Sequence, residues 1–130
     1  MAVYRWMPRT FMPNIRWLIC DFFYGTYNVI RWMPVIWSDH DGDWAYLARI
    51  MEYKLSRMSN VFKKYGHHDG SEKDAQRMMV CAELLNRLRT ESHYTYPPTR
   101  HSVQRDYLLD AYYQEYIGKM IGKHLRYWWN

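Results

Sequence analysis

Trp44, Met51, Met58 and Tyr65 recur at every seventh position. Two turns of an α-helix take about seven residues, so this repeat draws one apolar stripe along one long helix. Leu47, Leu55, Val61 and Phe62 fill the adjoining positions. The other face carries Arg49, Glu52, Lys54, Arg57, Lys63 and Lys64. The pattern predicts a helix from Gly42 to Tyr65, with Gly66 placed for a left-handed cap. Such a stripe has to be covered by another element, which points to helix packed on helix.

The flanking sequence supplies the partners. Ser71 followed by Asp74 marks a helix start, and a helix is expected over Glu72 to Thr90. Met78, Ala82, Leu85 and Arg89 mark one line on it, with Cys81, Leu84 and Leu88 beside them. The short polar link His67-His68-Asp69-Gly70 makes the two helices antiparallel neighbours. Pro97 and Pro98 interrupt residues 91–101, which read as a loop. Ser102 is placed to cap a last helix running to about Tyr127. Its expected apolar line is Tyr107, Ala111, Ile117, Met120, Ile121, Leu125 and Trp128. Gly118 and Gly122 share a face where close backbone approach is possible, against the hairpin or a second subunit. Upstream, residues 1–13 read as an extended arm. Two short helices follow, Asn14 to about Tyr24 with Gly25 as a stop, and Tyr27 to Trp32 before Pro34. Residues Val35 to Ser38 form a link. The expectation is one all-α domain over residues 1–130, a helical bundle built on a long helical hairpin plus a C-terminal helix.

Charge and cysteine content narrow the setting. The net charge is +5, and Arg5, Arg9, Arg16 and Arg31 face only Asp21 within residues 1–36. This bias suits an anionic partner but is too mild to mark nucleic-acid binding. The longest stretch free of Asp, Glu, Lys and Arg is nine residues, Phe22 to Ile30. A membrane span needs roughly 20, so no membrane partner is expected. Cys20 and Cys81 lie in apolar stretches and are expected to be buried free thiols, as in a reducing compartment.

Catalytic signatures are missing from the sequence. There is no Gly-x-Ser-x-Gly elbow and no glycine-rich phosphate loop, and neither cysteine has a local helper histidine. Asp39-His40-Asp41-Gly42-Asp43 has glycine fourth instead of sixth, with Ile50 where a calcium loop needs Glu. Its carboxylates fit a helix N-terminus, where they accept backbone N–H bonds. His67 and His68 are adjacent and have no cysteine nearby, so no metal, cofactor or enzymatic activity is expected. His93 and His101 flank the proline loop and could converge in space.

The suggestive constellation is aromatic plus basic. Seven Trp, 13 Tyr and four Phe exceed what one small core easily hides, so some rings should line a pocket or a subunit interface. A purine stacks on Tyr or Trp, and its phosphate pairs with Arg, Lys or a helix N-terminus. The proline loop offers Tyr94, Tyr96, Arg100 and His101. The start of the long helix offers Trp37, His40, Trp44 and Arg49. Together they are candidate ligand-binding residues for a small, anionic, nucleotide-like ligand. The alternative is solvated loops beside core tryptophans.

Residues 27–130 resemble a family of small tailed-phage proteins. The likeness rests on Asn28-Val29-Ile30-Arg31-Trp32-Met33-Pro34-Val35-Ile36-Trp37-Ser38-Asp39-His40-Asp41. Relatives there show Ile-Ile-Trp, then an Asp-Arg-Asp-Trp-Asp run, then a long helix. Lys54-Leu55-Ser56-Arg57-Met58, Gly66-His67, Ser71-Glu72-Lys73 and Leu84-Leu85-Asn86-Arg87-Leu88 follow in the same order. The ending His124-Leu125-Arg126-Tyr127-Trp128-Trp129-Asn130 fits too. This chain departs from the pattern at His40, where relatives often have Arg, and at Gly42, where they have Trp. The resemblance implies a phage source and the host cell cytoplasm. By analogy it implies a non-catalytic role against host defence, either by sequestering a signalling nucleotide or by binding a host nuclease or other defence protein. A minor virion or assembly protein is the remaining alternative. A homo-oligomer is expected.

Overall fold

The structure is a computed structural model that describes residues 15–40, 42–66 and 69–128. Helix α1 spans Ile15–Ile36, α2 Trp44–Tyr65, α3 Ser71–Thr90 and α4 Arg100–His124, and a 3-10 turn covers Leu125–Tyr127. The described residues contain no strand. The fold is all-α and bundle-like, as the helical periodicities required. The chain divides into two units, residues 1–38 and 39–130. The expected arm, residues 1–13, lies outside the described residues, as do the expected helix start Asn14 and Asp41, His67, His68, Trp129 and Asn130.

In the first unit, one continuous helix replaces the two short ones expected. Gly25 does not end it. A mid-helix glycine costs only about 1 kcal/mol relative to Ala, too little to end a helix by itself. Thr26 returns its hydroxyl to the Phe22 carbonyl at 2.8 Å. Pro34 sits inside the last turn, and the Trp37 amide still reaches the Met33 carbonyl at 2.9 Å. A proline this near the helix end removes few bonds. Cys20 is exposed on this helix, contrary to the expected burial.

In the second unit, α2 and α3 form the expected antiparallel hairpin. Ser59 donates to the Ala75 carbonyl at 2.7 Å, and Arg89 pairs with Glu52 at 3.1 Å. These partners run in opposite senses along the two helices. Asp43 caps α2 by accepting from the Ala45 amide at 2.9 Å. Gly66 ends α2 at φ −62°, not in the left-handed cap expected. Its requirement is steric: a Cβ there would lie 2.4 Å from Ser71 Cβ and 2.5 Å from the Phe62 carbonyl oxygen. Gly70, before α3, holds the left-handed conformation at φ 97°.

The core joins Ala48, Leu55 and Phe62 of α2 to Ala75, Met78, Cys81, Ala82, Leu85 and Leu88 of α3. The α2 stripe is rotated from the one expected. Met51 and Met58 are half-buried, while Trp44, Leu47, Val61 and Tyr65 are exposed. Small residues explain the shift, because Ala48 and the bonded Ser59 let α3 approach on their side. Helix α4 packs on α3 through Tyr113 and Ile117, and Trp128 closes the cluster. Here too the expected line is corrected: Tyr107, Ala111 and Leu125 are exposed. The buried line instead includes Ser102 and Asp106, polar residues satisfied by the preceding loop. Thr99, not Ser102, is the N-cap, and Ser102 supplies the reciprocal bond of the capping box. Nothing described lies within 4 Å of a Cβ built at Gly118 or Gly122, so they are not contacts with the hairpin.

Candidate functional site

The loop between α3 and α4 is held by two carboxylates of α4. Asp106 and Asp110 are four residues apart, so they lie one above the other on one helical face. Glu91, at φ 51°, turns the chain out of α3. Asp110 then receives His93 Nε2 at 2.7 Å and the Tyr94 hydroxyl at 2.5 Å. Asp106 receives the Thr95 amide at 3.0 Å and the guanidinium of Arg105 at 2.7 Å. The Tyr96–Pro97 bond is cis. Thr99 closes the loop by capping α4. A segment with two prolines and no regular structure is thereby given defined backbone partners.

Electrostatics at this junction is dominated by the carboxylates. The Thr95 amide, aided by Arg105, holds the Asp106 carboxyl below the usual carboxylate range. Its bond to Asp110 pushes the Tyr94 phenol up to about 12, and burial and the charges of Asp110, Glu91 and Asp106 act in the same sense. The His93 side chain is 6% exposed and packs edge-on against Tyr94 at 4.7 Å and Tyr113 at 5.3 Å. Its Nδ1 is buried without a partner among the described residues. A hydrogen on Nε2, facing the carboxylate, makes Nδ1 an unsatisfied acceptor.

Against this pinned loop lies a cleft of about 240 Å³, lined by Tyr94, Thr95, Tyr96, Pro98, Val103, Asp106 and Tyr107. Tyr96 and Tyr107 are 77% and 75% exposed, so their rings are open to a ligand instead of being used in the core. Arg105 stands at the rim, bonded to the Thr95 hydroxyl and to Asp106 with its side chain 56% exposed. Planar rings above a floor with few polar atoms can hold a flat group, and the few polar atoms can orient it.

The sequence-predicted residues divide around this cleft. Tyr94 and Tyr96 line it. Arg100 and His101 are exposed in the first turn of α4 and are not lining residues. His93 and His101 do not share a setting, since His93 is buried on Asp110 while His101 is exposed. The Arg89–Glu52 pair places the start of α2 at the same end of the hairpin as the loop. His40 and Trp44 are therefore at that end, but His40 packs edge-on to Tyr46 at 5.2 Å, and Trp44 and Arg49 do not line the cleft. Trp37 belongs to the first unit and is 82% exposed. Sequence reasoning missed Asp106, Asp110, Arg105 and Tyr107. The usable signal was the spacing of the two aspartates on a helix whose neighbouring loop is rich in donors.

Among the described residues, no group of three or more His, Cys, Asp and Glu side chains could hold a metal ion, and no helix is long and apolar enough to cross a membrane. The chain matches no protein-family model, no curated protein and no solved structure.

Proposed function

We propose that this chain is a non-catalytic binding protein whose receptor is the tyrosine cleft, and that its ligand is nucleotide-like. The observation that carries this reading is a cleft lined by three tyrosine rings, Tyr94 and Tyr96 from the loop fixed by Asp106 and Asp110 and Tyr107 from α4, with the guanidinium of Arg105 of α4 at its rim. Stacking on exposed rings is worth about 1–3 kcal/mol per base. A loop already pinned by Asp106 and Asp110 limits the backbone ordering that capture of a small ligand requires. The phage resemblance gives this capture a purpose: sequestration of a signalling nucleotide in the host cytoplasm, against host defence. Self-association fits the same reading, because Leu108, Tyr112, Gly118 and Gly122 leave the outer face of α4 uncovered.

Calorimetry of the full chain against cyclic and linear nucleotides tests the proposal. Saturable heat with at least one of them, lost in Tyr96→Ala at unchanged melting temperature, is the expected result. A second reading is an inhibitor that binds a host defence protein. It is favoured by α1, where Ile15, Phe22, Phe23 and Ile30 are all exposed. Absence of heat with every nucleotide, together with stoichiometric capture of one host protein, would select it.

A further inference from the structure

The polar lining of the cleft is arranged for hydrogen-bond donors, not for anions. Asp106 is a lining residue whose side chain is 9% exposed. Its Oδ1 accepts Arg105 Nε at 3.1 Å and Nη2 at 2.7 Å, while among the described residues its Oδ2 accepts the Thr95 amide alone, at 3.0 Å. An ionised carboxylate has about four acceptor sites, so Oδ2 retains one. The Tyr94 hydroxyl is already donated to Asp110 and contributes no donor to the cleft. Asp106, Asp110 and Glu91 make the local potential at Tyr94 negative. A phosphate driven into the cleft would meet that field, and no Lys or Arg is among the described lining residues.

Size makes the same distinction. Drug-sized ligands fill pockets of roughly 300–1,000 Å³, and about 240 Å³ admits only part of a nucleotide. The part that matches is the base, which is flat, apolar on its faces and polar at its edge. The phosphates then remain outside, where the guanidinium of Arg105 is more than half exposed. A guanidinium has five N–H donors, so its bonds to Asp106 and Thr95 leave others for an anion.

Resting on the receptor reading above, we propose that the cleft takes a nucleotide base-first and selects bases with an exocyclic amino group, which donates to Asp106 Oδ2 while the rings of Tyr96 and Tyr107 hold the base plane. In the register the two rings impose, replacing that amino group with a carbonyl sets oxygen against a carboxylate, and the ring N–H beside it reaches Oδ2 only if the base shifts in the cleft.

The test is calorimetry of the full chain with AMP against IMP, CMP against UMP, and inorganic pyrophosphate as competitor. AMP and CMP should bind about tenfold or more tightly than their carbonyl counterparts. Pyrophosphate should displace neither, and Tyr107→Ala should remove the preference without lowering the melting temperature, since that ring is exposed. Equal affinity for AMP and IMP, still lost in Tyr107→Ala, would refute amino selection and leave the receptor reading standing. Nucleotide binding unaffected by Tyr107→Ala, or displaced by pyrophosphate, would overturn the base-first cleft. Failure of every nucleotide to bind would remove both.

Discussion

Met78→Ala is the substitution from which the hairpin core should suffer most. Met78 is 0% exposed and belongs to the cluster that joins α2 to α3. The change deletes three heavy atoms, and burial of each CH₂-sized group is worth about 0.8 kcal/mol, so the transfer loss alone is about 2 kcal/mol. The remaining hole adds about 24 cal/mol per Å³, or roughly 1 kcal/mol for a partly collapsed space of about 50 Å³. A loss of about 3 kcal/mol is therefore expected. Small domains have only about 5–15 kcal/mol in total. For a unit of this size the melting temperature should fall by roughly 12–24 °C. Urea unfolding followed by far-ultraviolet circular dichroism gives the free energy directly, and the slope should stay unchanged. Met51→Ala serves as the comparison. Met51 packs on the same cluster but is only partly buried, so its loss should be about 1–2 kcal/mol. A Met78→Ala loss below about 1 kcal/mol, or a larger loss at Met51, would show that the core is centred on another face of the hairpin.

Two further outcomes follow from local chemistry. Native protein should expose one reactive thiol, Cys20, to an aromatic disulfide reagent, with Cys81 reacting only after unfolding, because Cys81 is fully buried and burial raises its pKa. Two fast thiols in the native state would contradict the packing of α3. Alkaline difference spectroscopy should reveal a late phenol near 12 that disappears in Asp110→Asn. A phenol whose folded pKa is raised stabilises the fold fully below its unfolded value of about 10, and that contribution is lost as pH climbs toward 12. Asp106 has the opposite sign: its depressed pKa adds stability above about 4, which is lost as the pH falls through its folded value. Loop contacts reported by Tyr94 should therefore loosen at both extremes, and a loop indifferent to pH would refute the two aspartate anchors.

The candidate site was only half legible in the chain. Tyr94 and Tyr96 stood out because rings in a proline-rich loop cannot join a periodic core. Asp106 and Tyr107 were hidden by the reverse effect. Tyr107 fits an apolar helical line, yet the polar residue beside it takes the buried position. The exchange occurs because the loop donates the Thr95 amide to Asp106, and the neighbouring Arg105 of α4 adds its guanidinium. A buried carboxylate with such partners is tolerated, and the ring then turns outward.

Periodicity, capping residues and prolines determined the all-α class, the α2–α3 hairpin and the breaks on either side of α3, because these depend on neighbours within a few positions. Local spacing placed the inside of α3 at Met78, Cys81, Ala82, Leu85 and Leu88, but it could not place the inner side of α2 or α4. That side rotated toward Ala48 and Ser59 on α2 and toward Ser102 and Asp106 on α4, where close approach and long-range hydrogen bonds decide. The cleft belongs to this second class, since Tyr96 and Tyr107 come together only when residues 91–99 fold back on α4, and a contact between distant segments has no period to read.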